Sequence, residues 1–490
     1  MRRGPLADSY PGAAALVVCS LIPYLALTAA VFPLAHVLAG SLGLSLSTLY
    51  ITISVSTGGY AMGTVLALQF AVHLPARRML VVYEVIFFLA AVLTAWAPTG
   101  GVFIGGFIVL GLCTSLMLIA AVPPLVTSWP PVKMPVTGGI MNLCIFGAVA
   151  AGPTVGAIEA AAGTWRPLFW GVAGVAALAL LFSLLTFQDA PPVDRSSPWD
   201  LVAVGLAVVG CGAAFFGAGE LQASGKADVL SLVPLIGGFV ALVALVVYEY
   251  RLPNPLMPVR AAATTAPVTG IWTALTASAA SFGVMELVLE TLQKTTTPTR
   301  AALLFIPEFV AAAVVAVVFG VLFRTRYTPV LALGGLLAIA AGTGIVLAVM
   351  PAPSVLIAAA TGVLGLGVAA SVSPGLFMAG FSLRSAQLQR VFAMIELMRG
   401  VTAFLVAPIL VYLAGFLGSS ASAGTEDALW ICVGIAGVGF VGGVLLYVTG
   451  KGWLQAPDLE RWQEEGEQAW DSPPLLGRLR RPEQVPAGTD

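Results

Sequence analysis

"FGAVAAGPTVGAIEAAAGTWRPLFW", residues 146–170, places glycine and proline inside a run that has the length and apolarity of a membrane helix. Both residue types weaken a helix in water. In lipid, helices associate through close backbone contact at small residues. Ala148, Gly152 and Gly156 lie four residues apart, so they share one helix face. Pro153 removes a backbone hydrogen bond and can bend the helix beside that face. The pattern predicts a bendable helix that packs closely against another.

The composition indicates that lipid surrounds most of the chain. Of 490 residues, 59% are hydrophobic and 9% are charged, whereas soluble domains carry about 25% charged residues. The net charge of −1 gives no basis for a nucleic-acid partner. The five cysteines stand singly, and no metal cluster, nucleotide-binding loop or catalytic triad is visible. We therefore expect no cofactor, no metal and no enzymatic activity.

Apolar stretches long enough to cross a membrane recur fourteen times. A span needs about 20 mainly apolar residues. The first stretch is too long for a signal peptide, and thirteen others follow it. The predicted spans are 13–38, 48–72, 79–97, 101–123, 135–158, 167–187, 200–219, 229–249, 266–289, 301–323, 328–350, 354–378, 390–416 and 427–449.

The cations predict the orientation of these spans. With both termini in the cytoplasm, 17 of the 22 Lys and Arg residues lie inside, and four lie outside: Arg166, Lys226, Lys294 and Arg300. The remaining one, Arg399, falls within a span. Such a bias is typical of cytoplasmic loops. We expect a multi-pass protein of the inner (plasma) membrane, with both termini in the cytoplasm.

Distant echoes predict two parallel halves. The second and tenth spans both end in paired cations, in "LPARRM" and "LFRTRY", before the chain re-enters the membrane. The fourth span carries "GLCTSLMLIAAVPP", and the twelfth carries the similar "GLGVAASVSPG". Repeated halves that rock about a central site are typical of transporters. We therefore expect the small-residue face of the fifth span to contact the other half. The predicted segments are a cytoplasmic N-terminus (1–12), a six-helix half (13–187), a linker with two extra helices (188–250), a second six-helix half (251–450) and a cytoplasmic tail (451–490).

Several motifs together resemble the major facilitator superfamily, in its fourteen-helix drug/proton antiporter branch. "GPTVG" at 152–156, followed by "TWRPLFW", resembles the antiporter motif of that branch. "LPARRM" stands where the family has its G-x-L-x-D-x-x-G-R-R loop, and "NPLMPVR" at 254–260 resembles the segment that enters the ninth helix. "AMIELMRGVTAF" matches the N-x-x-R-x-x-G helix, with Arg399 on the family's arginine. The resemblance implies the major facilitator fold and export of drugs or secondary metabolites, with antibiotic resistance as a consequence.

Some family positions carry other residues in this chain. The acid of the first helix falls near Leu27 or Thr28, and the loop acid near Val72. The arginine and glutamine of the fourth helix fall near Phe107 and Leu110. The fold is therefore better implied than proton-driven export.

Charged residues inside spans are candidates for function by default, because they are costly in lipid. Burial favours the neutral form of a carboxyl group, so such groups can load and release protons or pair with a cationic substrate. Glu286 and Glu290 could instead lie at a solvated helix end beside Lys294. Glu396 and Arg399 could instead form a purely structural ion pair. The candidates are Glu84, Glu286, Glu290, Glu308, Glu396 and Arg399, with Glu286, Glu290 and Glu308 expected to form one acidic outer vestibule.

Four loop arginines, Arg77, Arg78, Arg324 and Arg326, are candidates for gating latches or for topology anchors. The tail has the composition of a soluble segment, and Pro457-Asp458 can start a short helix through Trp470. Disorder is expected beyond Ser472.

The favoured function is a monomeric secondary exporter of small hydrophobic or amphipathic compounds that works by alternating access, with protons as a possible second partner. One alternative is a lipid or lipophile carrier that is not coupled to protons. Another is a membrane scaffold or sensor that has lost transport.

Overall fold

The structure is a computed structural model that describes residues 3–188, 198–350, 355–418 and 420–475. Most of the predicted linker before the extra helices, including Arg195, and the end of the tail lie outside these residues. The described residues contain 14 helices that are long and apolar enough to cross a membrane, which confirms the predicted all-α membrane fold. These helices are α1 (Tyr10–Leu42), α2 (Leu46–His73), α3 (Ala76–Trp96), α4 (Gly100–Thr127), α5 (Pro131–Ala161), α6 (Arg166–Leu185), α7 (Leu201–Ser224), α8 (Val229–Arg251), α9 (Thr265–Thr295), α10 (Pro298–Leu322), α11 (Thr328–Val349), α12 (Val355–Phe381), α13 (Ser385–Leu417) and α14 (Ser422–Thr449).

Polar caps and glycine set the limits of the helices. The Ser9 hydroxyl accepts the Gly12 N–H at 3.3 Å and starts α1. Gly43 ends α1 in the left-handed conformation, with φ of 63°. Pro23 and Pro33 lie within α1, where packing against neighbouring helices tolerates them.

The helices pack as an N-terminal group, α1–α6, and a C-terminal group, α9–α14. The two groups meet along two seams, where α5 packs on α10 and α2 packs on α13. Of the two helices between the groups, α7 packs on α2 and α13, and α8 packs on α7. The outer side of α8 is apolar and exposed, as at Val233 and Val240, which suits a helix facing lipid. Because the number of spans is even, α1 begins and α14 ends at one end of the bundle. Following the predicted topology, we call this the inner end.

The small-residue face of α5 packs on α1, and not on a helix of the other half as predicted. A Cβ atom at Gly152 would lie 2.5 Å from the Ala26 carbonyl oxygen, and one at Gly156 would overlap the Ala30 carbonyl oxygen. The two backbones are therefore in contact, as small residues allow in lipid. The spacing of small residues identified the contact face of α5 but held no information about which helix covers it.

A different part of α5 reaches the second group of helices. Thr154 donates to the Ala302 carbonyl oxygen of α10 at 3.2 Å. Ala150 belongs to a small apolar cluster with Ala312 of α10 and Ala369 of α12. The helix thus lies between α1 and the other group, so it forms one wall of the seam.

Candidate functional site

Polar contacts cross between the two groups of helices at three levels of the bundle. At the middle level, the Tyr60 hydroxyl of α2 donates to Glu396 Oε2 of α13 at 3.0 Å. Arg399, one turn further along α13, donates from Nη2 to the same oxygen at 2.6 Å and to the Tyr60 hydroxyl at 3.2 Å. The three side chains are buried, and Arg399 is only 1% exposed. The predicted Glu396–Arg399 pair is therefore formed, and Tyr60 extends it across the seam.

Aromatic rings surround this buried network. The Tyr60 ring stacks on Tyr24 of α1 with centroids 6.2 Å apart, and its edge meets Phe404 of α13 at 6.2 Å. The Arg399 guanidinium lies 5.6 Å from the centre of the Phe146 ring of α5. Aromatic faces stabilise a guanidinium that has lost its water. A buried ion pair in this setting needs every one of its partners, because an unpaired buried charge is costly.

A second polar bridge at the middle level comes from an irregular turn of α5. Residues Leu143–Gly147 form a single π-helical turn. Asn142, directly before it, donates to the Ala369 carbonyl oxygen of α12 at 3.1 Å. The Asn142 Oδ1 atom is buried without a hydrogen-bond partner among the described residues. Turns of this kind are frequent at functional sites.

At the outer level, Glu286 and Glu290 of α9 line a cavity of about 110 Å³. Glu286 is buried at 4% exposure and accepts the Gln222 amide of α7 at 2.6 Å. Glu290 is more exposed and pairs with Lys294 at 2.6 Å. Phe32 and Tyr50 of the N-terminal group line the cavity too, and the Gln293 amide donates to the Phe32 carbonyl oxygen of α1 at 3.0 Å.

Glu308 lies outside that cavity, so the expectation of one vestibule built from three glutamates is wrong. Its backbone is in contact with α12, since a side chain at Gly365 would overlap it. Ala312, one turn along α10 on the same face, packs in the cluster with Ala150 of α5. Glu308 Oε2 is buried and has no hydrogen-bond partner among the described residues. Glu308 therefore sits where α10 and α12 meet the α5 seam, apart from the α9 carboxylates.

Glu84 is buried within the N-terminal group. It accepts the Ser20 hydroxyl of α1 at 2.5 Å, while its second oxygen, Oε2, has no partner among the described residues. The sequence placed this acid near the Arg77/Arg78 loop, and the structure gives it a hydroxyl as its partner.

At the inner level, Gln389 of α13 donates to the Ile119 carbonyl oxygen of α4 at 3.0 Å. The predicted latch residues Arg324 and Arg326 are exposed, and Arg326 interacts with the neighbouring Tyr327 ring and hydroxyl. The gating role of these two and of Arg77 and Arg78 stays a prediction.

Sequence reasoning missed three polar groups of the seam and its surroundings. Tyr60 and Asn142 contact residues 336 and 227 positions away, so no local pattern marks their partners. Glu249 at the inner end of α8 is fully buried, and it accepts the Met257 backbone N–H at 2.9 Å. The sequence signal for this buried acid was its position as the last residue of a predicted span, 229–249.

Two groups of helices, joined by polar contacts at the outer, middle and inner levels, are the arrangement expected of a helical membrane transporter. The Major Facilitator Superfamily model matches residues 16–285, which is more than half of the chain. The chain belongs to this superfamily, and membership indicates a transporter rather than an enzyme. The predicted family is thereby confirmed.

Individual relatives are distant. The chain is 27% identical over 264 residues to the multidrug resistance protein Stp of Mycobacterium tuberculosis, covering 53% of this chain and 48% of that protein. It is 27% identical over 168 residues to the lincomycin resistance protein LmrB of Listeria monocytogenes, covering 34% of this chain and 36% of that one. The aligned stretches thus span half or less of these relatives. Among solved structures, the proton:xylose symporter XylE superposes with a TM-score of 0.61 at 16% identity, and the match covers 93% of this chain and 100% of that chain. At that identity the likeness shows the fold alone.

Proposed function

We propose that the chain is a secondary exporter of small hydrophobic or amphipathic compounds, of the drug or secondary-metabolite kind, that works by alternating access. The observation that carries the proposal is the seam itself, where hydrogen bonds join the two groups of helices at outer, middle and inner levels. A transporter that opens to one side must break the contacts at that side while those at the other side hold. The aromatic shell of Tyr24, Phe146 and Phe404 suits apolar substrates, and the resistance proteins Stp and LmrB support the substrate class.

We place proton handling on Glu308 first. It is the buried carboxyl group whose free oxygen lies beside the α5 seam, and movement of that seam changes its access to water. A carboxyl group that alternates between water and a dry helix contact alternates in its affinity for a proton. Glu286 and Glu290, in the outer cavity, are then the groups that meet a cationic substrate.

The test uses the purified full chain in proteoliposomes with a panel of lipophilic compounds that includes lincomycin, with and without an imposed pH gradient. Glu308→Gln is expected to abolish gradient-driven transport while compound binding, measured by tryptophan quenching, survives. Glu426→Gln is the matched control, because Glu426 is exposed at the outer end of α14. Equal gradient-driven rates in the parent and in Glu308→Gln would move the coupling role to Glu84 or Glu396.

A second candidate is a lipid or lipophile carrier without proton coupling. It is favoured by the first helix, where the position of the family's acid falls near Leu27 or Thr28. Both side chains are buried, and the Thr28 hydroxyl donates to the Leu25 carbonyl oxygen of its own helix. In the same assay this carrier would move lipophiles at one rate whether or not the gradient is imposed. A scaffold would move none.

We further propose that the protein works as a monomer with both termini in the cytoplasm, and that the halves are 13–187 and 251–450 with the helices of 188–250 between them.

A further inference from the structure

An apolar cavity lies away from the seam, at the inner end of the bundle. It has a volume of about 490 Å³ and lies between α8, the loop that follows it, α9 and α13. Its walls are apolar, with Trp272, Met257, Met394 and Met398 among them. The Trp272 N–H donates to the Gly439 carbonyl oxygen at 3.1 Å, so its ring presents only carbon to the cavity. Methionine side chains adapt to flexible apolar ligands.

The cavity borders the lipid-facing side of the bundle. Tyr250, which lines it, is half exposed, and α8 carries exposed Val243 and Val247 beside the lining residue Val246. An apolar cavity at this position is therefore reachable from the bilayer by a hydrocarbon chain.

Three arginines stand beside residues that line the cavity. Arg251 follows Tyr250, Arg260 follows Val259, and Arg390 lies one helical turn before Met394, towards the inner end. All three are exposed, and none forms an ion pair with another described residue. Glu249, at the same end of the bundle, is buried, accepts the Met257 N–H of the cavity wall, and lies close enough to Arg390 for an electrostatic interaction without a direct ion pair.

We propose that this cavity is a binding site for one anionic phospholipid of the inner leaflet, with an acyl chain in the cavity and the phosphate held by Arg251, Arg260 and Arg390. The apolar walls match the acyl chain, and the three exposed arginines, which form no direct ion pair with another described residue, match the phosphate. Anionic lipids attract arginines near the membrane surface, and each arginine is worth about fivefold in binding, or ~1 kcal/mol. The site would join α8, α9 and α13 through one ligand.

The test is native mass spectrometry of the full chain released from nanodiscs that contain equal amounts of phosphatidylglycerol and phosphatidylcholine. The parent is expected to retain one phosphatidylglycerol in at least tenfold preference. The triple variant R251Q/R260Q/R390Q should lose that preference, whereas R324Q/R326Q should keep it, because it removes two exposed cations of the same membrane face away from the cavity.

A filled cavity gives an independent readout. Leu275→Trp occupies space inside the cavity and should lower retention of phosphatidylglycerol, while Leu178→Trp on the exposed side of α6 should not. If the triple arginine variant fails to fold, the three pairwise variants carry the same comparison. Equal retention of both lipids by the parent, or an R251Q/R260Q/R390Q variant that behaves as R324Q/R326Q does, would overturn the site.

A separate observation concerns the tail after α14, which crosses the inner face of the bundle. Its short helical turn, Arg461–Glu465, carries Trp462, which is fully buried. The Trp462 ring lies 4.4 Å from the Phe381 ring at the end of α12, and its N–H donates to the Leu383 carbonyl oxygen at 2.9 Å. The tail is thus anchored on the C-terminal group.

The next residue reaches the other group of helices. The Gln463 amide donates to the carbonyl oxygens of Thr127 and Trp129, at 3.1 and 2.7 Å, where α4 ends. Later residues return to the C-terminal group, where the Thr265 N–H donates to the Pro473 carbonyl oxygen at 3.0 Å. Gln463 therefore joins two groups of helices that must separate whenever the inner end opens.

We infer that the tail is a latch that holds the inner ends of the two groups of helices together. Trp462 anchors it to the C-terminal group, and Gln463 binds it to the N-terminal group. Release of Gln463 would leave the tail attached to the C-terminal group and free the inner ends to part. The contact lies at the inner end whether the chain exports or imports, so the inference does not depend on the substrate.

The latch is tested by electron–electron double resonance between spin labels at Val132→Cys and Tyr327→Cys, exposed inner-end positions in opposite groups. Cys19→Ser serves as background, because the other four cysteines are buried. Gln463→Ala should raise the ratio of long to short distances about tenfold, the scale expected from losing two hydrogen bonds. Trp462→Ala should raise it at least as much.

Glu464→Ala is the matched control, because its exposed side chain lies beside Gln463 in the same turn. It should leave the distances unchanged. The latch is refuted if neither Gln463→Ala nor Trp462→Ala alters the distances, or if Glu464→Ala alters them equally.

Discussion

The buried network of Tyr60, Glu396 and Arg399 makes a sharp prediction about stability. Arg399→Leu leaves the Glu396 carboxylate buried with only the Tyr60 hydroxyl as a partner. Removing one member of a buried ion pair costs about 3–5 kcal/mol, because the other charge stays buried and unpaired. Replacing the whole pair by apolar residues is often neutral. We therefore expect Arg399→Leu to lower the free energy of unfolding by about 4 kcal/mol.

The matched variant removes all three polar groups together, as Tyr60→Phe with Glu396→Leu and Arg399→Leu. It should unfold within about 1 kcal/mol of the parent, because no polar group of the network is left unpaired. The assay is titration with sodium dodecyl sulfate in mixed micelles, followed by tryptophan fluorescence. A single variant as stable as the parent, or a triple variant no more stable than the single one, would refute the reasoning. The triple variant should also lose transport, because it lacks the hydrogen bond that joins α2 to α13. Its restored stability would show that this loss is not caused by unfolding.

Three further predictions concern topology, packing and the outer cavity. A cysteine at Lys226 should be labelled by an impermeant reagent from outside intact cells, and one at Lys451 only after lysis; the reverse would invert the topology. Gly156→Leu should reduce the folded yield several-fold because it overlaps the Ala30 carbonyl oxygen, whereas Gly171→Leu, in open space on α6, should leave the yield unchanged. Glu286→Gln should lower the apparent affinity for cationic compounds about tenfold in a transport competition assay and leave the affinity for neutral compounds unchanged. Equal losses of affinity for both kinds of compound would argue against an electrostatic role.

The number of helices was predictable because each span is a continuous apolar run, and lipid requires such runs whatever surrounds them. The Glu396–Arg399 pair was predictable for a similar reason, since residues three apart on a helix are neighbours. The partner of the α5 glycines was not predictable. A four-residue period defines a face, but the choice between α1 and a helix of the other half depends on how distant segments assemble.

The docking of the tail on the bundle was also missed. The sequence predicted a short helix through Trp470 and disorder beyond Ser472, but it did not predict contacts with the bundle such as those of Ser472, which bonds Thr264 at 2.8 Å and Ala266 at 2.9 Å. Two tryptophans in a polar segment, Trp462 and Trp470, were the signal, because large aromatic side chains seldom remain in water. Both rings contact Phe381, which lies 81 residues before Trp462 and 89 before Trp470, so no local pattern marks the place where they are buried.

The position of α7 has a mechanical consequence. A Cβ atom at Gly58 of α2 would lie 2.9 Å from the Phe215 side chain of α7, and one at Gly219 of α7 would lie 2.9 Å from the Ser54 side chain. Helices in such contact move together, whereas α7 meets α13 over a shorter stretch. Any rocking of the N-terminal group must therefore move α7 and the attached α8 through the surrounding lipid, which adds viscous drag to the motion. The turnover of this protein should fall more steeply with membrane viscosity than that of a twelve-helix relative, and rigid, saturated lipids should slow it most.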